Sequence, residues 1–176
     1  MAKVYFSTGS NQGKRIDLLV QAAKLIESDI GKIIDYSPVV ESEPWGFMAD
    51  TAFLNQILVV DTEFSPHLVL EKILEIEKIL GRKRSGTGYT SRLIDIDILF
   101  YNEIQMNEDH LVIPHPLLHK RKFVLQPLAA VAPHLIHPVL LIPVSGLLHQ
   151  LKDSGQVSTE VEKADFALLL NQKKLS

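Results

Sequence analysis

Apolar and polar positions regroup along this chain in a way that separates strands from helices before any chemistry is considered. Val4 to Thr8 reads as a strand, closed by the turn-forming Gly9-Ser10-Asn11. Ile16, Leu18, Leu19, Ala22, Ala23, Leu25 and Ile26 then recur at helical spacing and predict an amphipathic helix. Lys32 to Val40 predicts a second strand. Glu41 to Thr51 reads as a loop, broken by Pro44 and Gly46 yet carrying Trp45, Phe47 and Met48. Phe53 to Asp61 predicts a third strand, with Asn55 set among apolar residues. Ser65-Pro66 is a helix cap followed by proline in the first turn, and Leu68, Leu70, Ile73, Leu74, Ile76, Glu77 and Leu80 carry that helix to Gly81. Arg92 to Phe100 predicts a strand, Leu111 to Ile113 a short one. Phe123 to Val131 predicts a helix with Pro127 near its start, and Val144 to Lys152 another, with Ser145 as its candidate cap. The last twenty residues are weakly patterned.

Strands alternating with helices early, then a strand-rich stretch, suggest an α/β sandwich whose sheet is at least partly antiparallel, with parallel βαβ wrapping as the competing topology. No repeat, linker or low-complexity tract divides the chain, so residues 1–176 are expected to form a single domain. At 176 residues, 46% hydrophobic and 22% charged, the composition is that of an ordinary globular protein. A net charge of −3 argues against wholesale nucleic-acid binding. With no cysteine, disulfides, thiolate chemistry and cysteine-ligated metals are excluded. The chain enters its first strand without a signal-peptide pattern, and no apolar run reaches membrane-spanning length. A cytoplasmic protein that acts on small molecules is the expectation.

The strand Arg92-Leu-Ile-Asp-Ile-Asp-Ile-Leu-Phe100 changes the picture. With a side-chain period of two, Asp95 and Asp97 point to one face with Leu93 and Leu99, while Ile94, Ile96 and Ile98 point to the other. Two carboxylates held among apolar neighbours repel and lose hydration, and a divalent cation is the usual relief. Arg82, Lys83, Arg84 and Arg92 lie just upstream in a loop without acidic residues, given conformational freedom by Gly86 and Gly88. A basic loop leading into a metal-competent Asp pair suits phosphoryl-type transfer. Pro114-His115-Pro116 presents a histidine rigidly, and Arg121 follows in a second basic patch. Asn55, with Trp45, Phe53, Tyr89 and Phe123, suggests an aromatic, hydrogen-bonding pocket for a flat heterocycle. Neither a Walker A loop nor a Gly-x-Gly-x-x-Gly fingerprint is present. From the residues alone, a nucleotidyltransferase and a non-catalytic nucleotide-binding module also remain open. Glu77, on the polar margin of its helix, reads locally as an exposed charge.

Taken together, Thr8-Gly-Ser-Asn11, Ser42-Glu-Pro-Trp45, Phe53-Leu-Asn-Gln56, Glu75-Ile-Glu77, Gly81-Arg82 with Arg84, the Arg92 to Leu99 strand, Ile113-Pro-His-Pro116 and Arg121 to Leu128 form a recognisable set. From Val4 to about Pro133 the chain resembles the 6-hydroxymethyl-7,8-dihydropterin pyrophosphokinases of folate biosynthesis, whereas the C-terminal forty residues match poorly. The resemblance implies an α+β, ferredoxin-like α/β sandwich with a mainly antiparallel central sheet. It also implies transfer of pyrophosphate from ATP to the pterin hydroxymethyl oxygen, releasing AMP.

Under that resemblance Asp95 and Asp97 would bind two Mg²⁺ ions, with Arg82 and Arg92 completing the catalytic set. Glu77, Arg84, Arg92, Ile98, His115 and Arg121 would serve ATP. Ser42, Glu43, Trp45, Phe53, Asn55, Tyr89 and Phe123 would serve the pterin. The expected partners are ATP and the pterin, with no nucleic acid and no membrane. The expected assembly is a monomer, a homo-oligomer being left open. Two positions depart from the common bacterial pattern: Phe53 stands where Tyr is frequent, and Gly88-Tyr89 where an Arg-Trp pair is frequent.

Overall fold

The computed structural model describes residues 1–44, 51–82, 93–152 and 155–172. Its framework is β1 (Ala2–Ser10), α1 (Arg15–Asp29), β2 (Lys32–Tyr36), β3 (Val39–Ser42), β4 (Phe53–Thr62), α2 (Pro66–Ile79) and β5 (Asp95–Tyr101). A small hairpin follows, β6 (Met106–Glu108) with β7 (Leu111–Ile113), then α3 (Lys122–Val131), α4 (Val144–Gln150), β8 (Val157–Val161) and α5 (Lys163–Asn171). The main sheet runs β5-β1-β4-β3-β8, with β2 also pairing β4, and each of these pairings is antiparallel. This is the ferredoxin-like arrangement, and parallel βαβ wrapping is thereby set aside.

Period-two alternation decides which residues meet which helices. Val4, Phe6, Leu58, Val60, Ile96 and Ile98 face α1 and α2, where they pack on Leu19, Ile26, Ile73 and Ile76. The opposite face places Tyr5, Ile57, Val59, Leu99 and Phe100 against α3 and α4 through Val124, Leu125, Leu128, Val144 and Leu147. Leu99 and Phe100 share that second cluster because the β1–β5 register shifts between Tyr5 and Phe6, pairing Tyr5 with Phe100 and Phe6 with Ile98. The extra residue is a β-bulge, which breaks the strict alternation below the two Asp residues.

Several local expectations need correction. The single strand over Lys32 to Val40 is two strands, separated at Ser37-Pro38. Pro38 has no N–H to donate, and Ser37 Oγ accepts the Ile57 N–H at 2.9 Å, so the serine side chain substitutes for part of the ladder. Glu41 and Ser42 belong to β3 rather than to a loop. The strand predicted from Arg92 starts at Asp95. Leu93 lies beyond it, against Gly13 and Gly81, and does not share the open face with the carboxylates. The cap before α4 is Pro143, not Ser145. Pro127 lies in the middle of α3 rather than near its start. The weakly patterned C-terminus forms β8 and α5, whose Phe166 is buried and tilts against Tyr36.

Other signals hold as read. Ser65 Oγ accepts the Leu68 N–H at 3.3 Å and Pro66 begins α2. Just past that helix Gly81 adopts φ +85, a conformation that favours glycine. No helix among the described residues is long and apolar enough to cross a membrane.

Candidate active site

The second sheet face is only half covered. Where α3 and α4 pack, it is apolar core. Beyond them Ser7 and Gly9 on β1 leave a shallow floor, flanked by Asp97 and Asp95 on β5 and by Asn55 on β4. Gly9 is the cross-strand partner of both Asp95 and Asn55, so the amide and the carboxylate lie two strands apart, about 10 Å across the sheet. The result is a cleft of about 250 Å³. Ser42, Glu43 and Phe53 form one side, and His115, Pro116, Leu117, Arg121 and Phe123 the other. Ser7, Gly9 and Leu117 were missed by sequence reasoning. Small residues at the end of β1 were the available signal for the first two.

Asn55 is 4% exposed, and its Nδ2 donates to Ser42 Oγ at 3.0 Å. A Cβ on Gly9 would sit 3.1 Å from Asn55 Oδ1, so the bare backbone there lets the amide lie close to the strand. Arg15 secures the segment beside this side of the cleft, donating to Glu41 Oε2 and to the Ala52 carbonyl, each at 2.8 Å. Phe53 and Phe123 present rings into the cleft, and the Arg121 guanidinium lies 5.8 Å from the Phe123 centroid.

A second cavity adjoins the first. Asp95, Asp97, His115 and Pro116 line both. Its remaining walls are Leu70, Ile73, Leu74 and Glu77 of α2, Arg82, Ile96 and Ile98 of β5, and residues 109–112 of the β6–β7 hairpin. Glu77 is 2% exposed, which corrects the local reading of an exposed charge. Its Oε1 accepts the Ile96 N–H at 2.9 Å and also an Arg82 Nη1 hydrogen, and the same Nη1 donates to Asp95 Oδ1 at 2.5 Å. Burial alone would lower the Arg82 pKa, but the Asp95 and Glu77 charges outweigh it and the net direction is upward.

His115 is held by its own backbone: its N–H donates to the Leu99 carbonyl at 3.0 Å, which ties the Pro-His-Pro segment to the outer edge of β5. The Leu117 N–H donates to His115 Nδ1 at 3.1 Å. An amide is always the donor, so Nδ1 is the acceptor and the neutral ring carries its proton on Nε2. Burial, then the Arg121 charge, lowers its pKa from 6.5 to about 4. His115 is therefore an uncharged N–H donor at neutral pH.

The structure thus brings together Asp95, Asp97, His115, Arg82, Glu77 and Ile98 around the second cavity, and Ser42, Glu43, Phe53, Asn55, Arg121 and Phe123 around the first. Arg121, expected on the nucleotide, lines the first cavity. Trp45, Arg84, Tyr89 and Arg92 lie outside the described residues. No group of three or more His, Cys, Asp or Glu side chains converges on a metal position among the described residues.

Paired carboxylates and a neutral imidazole at the junction of two cavities, with a guanidinium lining each cavity, are the equipment of a phosphoryl-transfer enzyme on a ferredoxin-like scaffold. The model of the 7,8-dihydro-6-hydroxymethylpterin-pyrophosphokinase family matches residues 5–133, and the chain belongs to that family. A 2-amino-4-hydroxy-6-hydroxymethyldihydropteridine pyrophosphokinase of Porphyromonas gingivalis is 41% identical over 143 residues, covering 78% of this chain and 95% of the relative. One from Aquifex aeolicus is 40% identical over 144 residues, covering 82% and 89%. Among solved structures, an HPPK-DHPS in complex with substrates matches with a TM-score of 0.71 at 16% identity, over 84% of this chain and 43% of that one. That likeness is one of fold, and the chain spans less than half the length of that protein.

Proposed function

We propose that the two adjoining cavities are the acceptor and nucleotide halves of one transfer site. As a member of its family, the chain transfers pyrophosphate from ATP to the hydroxymethyl oxygen of 6-hydroxymethyl-7,8-dihydropterin, a step of folate biosynthesis. The observation that supports the residue assignment is the shared wall of Asp95, Asp97 and His115 between the cavities. A group that passes from one bound molecule to another must cross such a boundary, and these side chains face both.

Asp95 and Asp97 suit Mg²⁺, which takes one or two carboxylates and leaves its other positions to phosphate and water. Bound there, as two ions by the family resemblance, Mg²⁺ would neutralise triphosphate charge and make the β-phosphorus more electrophilic. Glu77 and Ile98 belong to the nucleotide side, with Glu77 acting through Arg82. His115 donates from Nε2 to a phosphate oxygen without adding charge. Arg82, Arg84, Arg92 and Arg121 neutralise the remaining oxygens and hold the phosphorus in line. Asn55 offers its amide to the pterin edge, Phe53 and Phe123 offer stacking faces, and Ser42, Glu43, Trp45 and Tyr89 complete the acceptor side.

The acceptor oxygen bonds to the β-phosphorus as the bond from that phosphorus to the oxygen of AMP breaks. AMP departs with the bridging oxygen, and the hydroxyl proton is released. No covalent enzyme intermediate is required. The chain acts as a single domain, a monomer, in the cytoplasm. Incubation with ATP, Mg²⁺ and the hydroxymethyl dihydropterin, followed by mass analysis, tests the reading. Pterin pyrophosphate with free AMP is expected. AMP attached to the acceptor would mark a nucleotidyltransferase, and bound ATP without AMP release a binding module.

A further inference from the structure

The C-terminal forty residues match the family poorly, yet one short piece of them touches both α3 and β3, the elements next to Phe123 and Ser42 of the acceptor cleft. Lys122 Nζ, at the first position of α3, donates to the Gly155 carbonyl at 3.0 Å. One helical turn later Gln126 Nε2 donates to the Val157 carbonyl at 3.4 Å. Val157 is in turn the cross-strand partner of Ser42, the residue whose hydroxyl accepts from Asn55. Residues 155–157 therefore link the start of α3, which carries Arg121 and Phe123, to the edge of β3, which carries Ser42.

We propose that Lys122 and Gln126 are positioning residues for the acceptor, acting through residues 155–157 to set the spacing between Phe123 and the Asn55–Ser42 pair. This rests on the assignment of the acceptor to that cleft. The apolar side of α3 packs on Val59, Ile57 and Leu99 and holds the helix to the sheet. Apolar packing is non-directional and tolerates small rotations about the helix axis. A charged and a neutral hydrogen bond, both on one side of the first two turns, resist such a rotation. Phe123 directly follows Lys122, so a small turn of α3 would move its ring across the cleft. The second cavity draws no wall from α3, β3 or β8, and Arg121 precedes the first helical residue with its N–H held by the Leu118 carbonyl at 3.3 Å, so nucleotide binding should sense the change far less than the acceptor does.

The test is steady-state kinetics of the full chain with ATP, Mg²⁺ and the hydroxymethyl dihydropterin. Lys122→Met, Gln126→Met and the double variant keep an unbranched side chain of similar reach while removing the donors. The double variant should raise the pterin KM about tenfold, with kcat and the ATP KM changed less than about twofold. Each single variant should give part of that rise, and Lys122→Arg, which keeps a charged donor, should recover most of it. Titration of the dihydropterin against chain saturated with α,β-methylene-ATP should show the same loss of affinity. An unchanged pterin KM in the double variant overturns the positioning role. So does a parallel loss in kcat and both KM values, which general loosening of the fold would produce. If the unaltered chain makes no pterin pyrophosphate, the functional reading itself fails, an outcome the wild-type control separates from the other two.

Discussion

Glu77 on α2 accepts the backbone N–H of Ile96 at 2.9 Å, gripping β5 between its two aspartates. The carboxylate is buried, so the bond is shielded from water, and Arg82 supplies the compensating charge. Removing it strands the Ile96 N–H and leaves Arg82 with Asp95 as its remaining carboxylate partner among the described residues. Glu77→Ala should lose about 3 kcal/mol of stability in urea unfolding, since a buried N–H loses its acceptor and a partly buried guanidinium loses one of its two carboxylate partners. Glu77→Gln keeps an acceptor for Ile96 and should lose less than half of that. An alanine variant within about 0.5 kcal/mol of wild type would show that the clamp is dispensable.

Asp97→Ala should lower turnover roughly 10³-fold at saturating ATP and Mg²⁺, with the melting temperature little changed. AMP release measured over a range of Mg²⁺ concentrations checks this. Near-normal turnover would remove Asp97 from the metal-binding role. Chelation of divalent ions should abolish turnover in the unaltered chain.

Gly9→Ala places a methyl group 3.1 Å from Asn55 Oδ1. That is tight enough that the amide must shift, and its hydrogen bond to Ser42 shifts with it. The pterin KM should rise about fivefold with the ATP KM unchanged, because a displaced hydrogen-bonding group loses roughly 1 kcal/mol of binding. An equal rise in both constants would instead point to a distorted sheet.

His115 predicts a pH dependence of stability. Its folded pKa of about 4 lies below the ordinary 6.5, so between those values the unfolded chain binds more protons than the folded one. Stability should therefore fall as pH drops from 6.5 towards 4 and gain no further loss from this group below that. His119 and His137 are lowered in the same direction by burial and will contribute to the slope. His115→Gln should flatten the slope in urea midpoints measured across this window. An identical slope in the variant would mean that the imidazole takes up its proton normally in the folded chain.

Much of the site was legible because local periodicity and spacing are properties of the backbone itself. Alternation along residues 95–98 put both carboxylates on one face and the isoleucines on the other, and the structure keeps that division. The capped start of α2, the placement of His115 between prolines and the buried polar character of Asn55 were equally readable. Glu77 was not, because its burial depends on β5 crossing over the end of its helix. A carboxylate on a helix margin looks the same whether water or a guanidinium faces it.

By itself the sequence determined the order and type of the main elements, the shared face of Asp95 and Asp97, and the family. Tertiary structure alone decided the break at Ser37-Pro38, the bulge at Leu99, the burial of Glu77 and the folding of the C-terminus into β8 and α5. It also decided that residues 155–157 would bridge the start of α3 and the edge of β3. The physical reason is common to all of these. Periodicity records which face of a segment avoids water, whereas pairing, bulging and charge burial depend on partners distant in sequence.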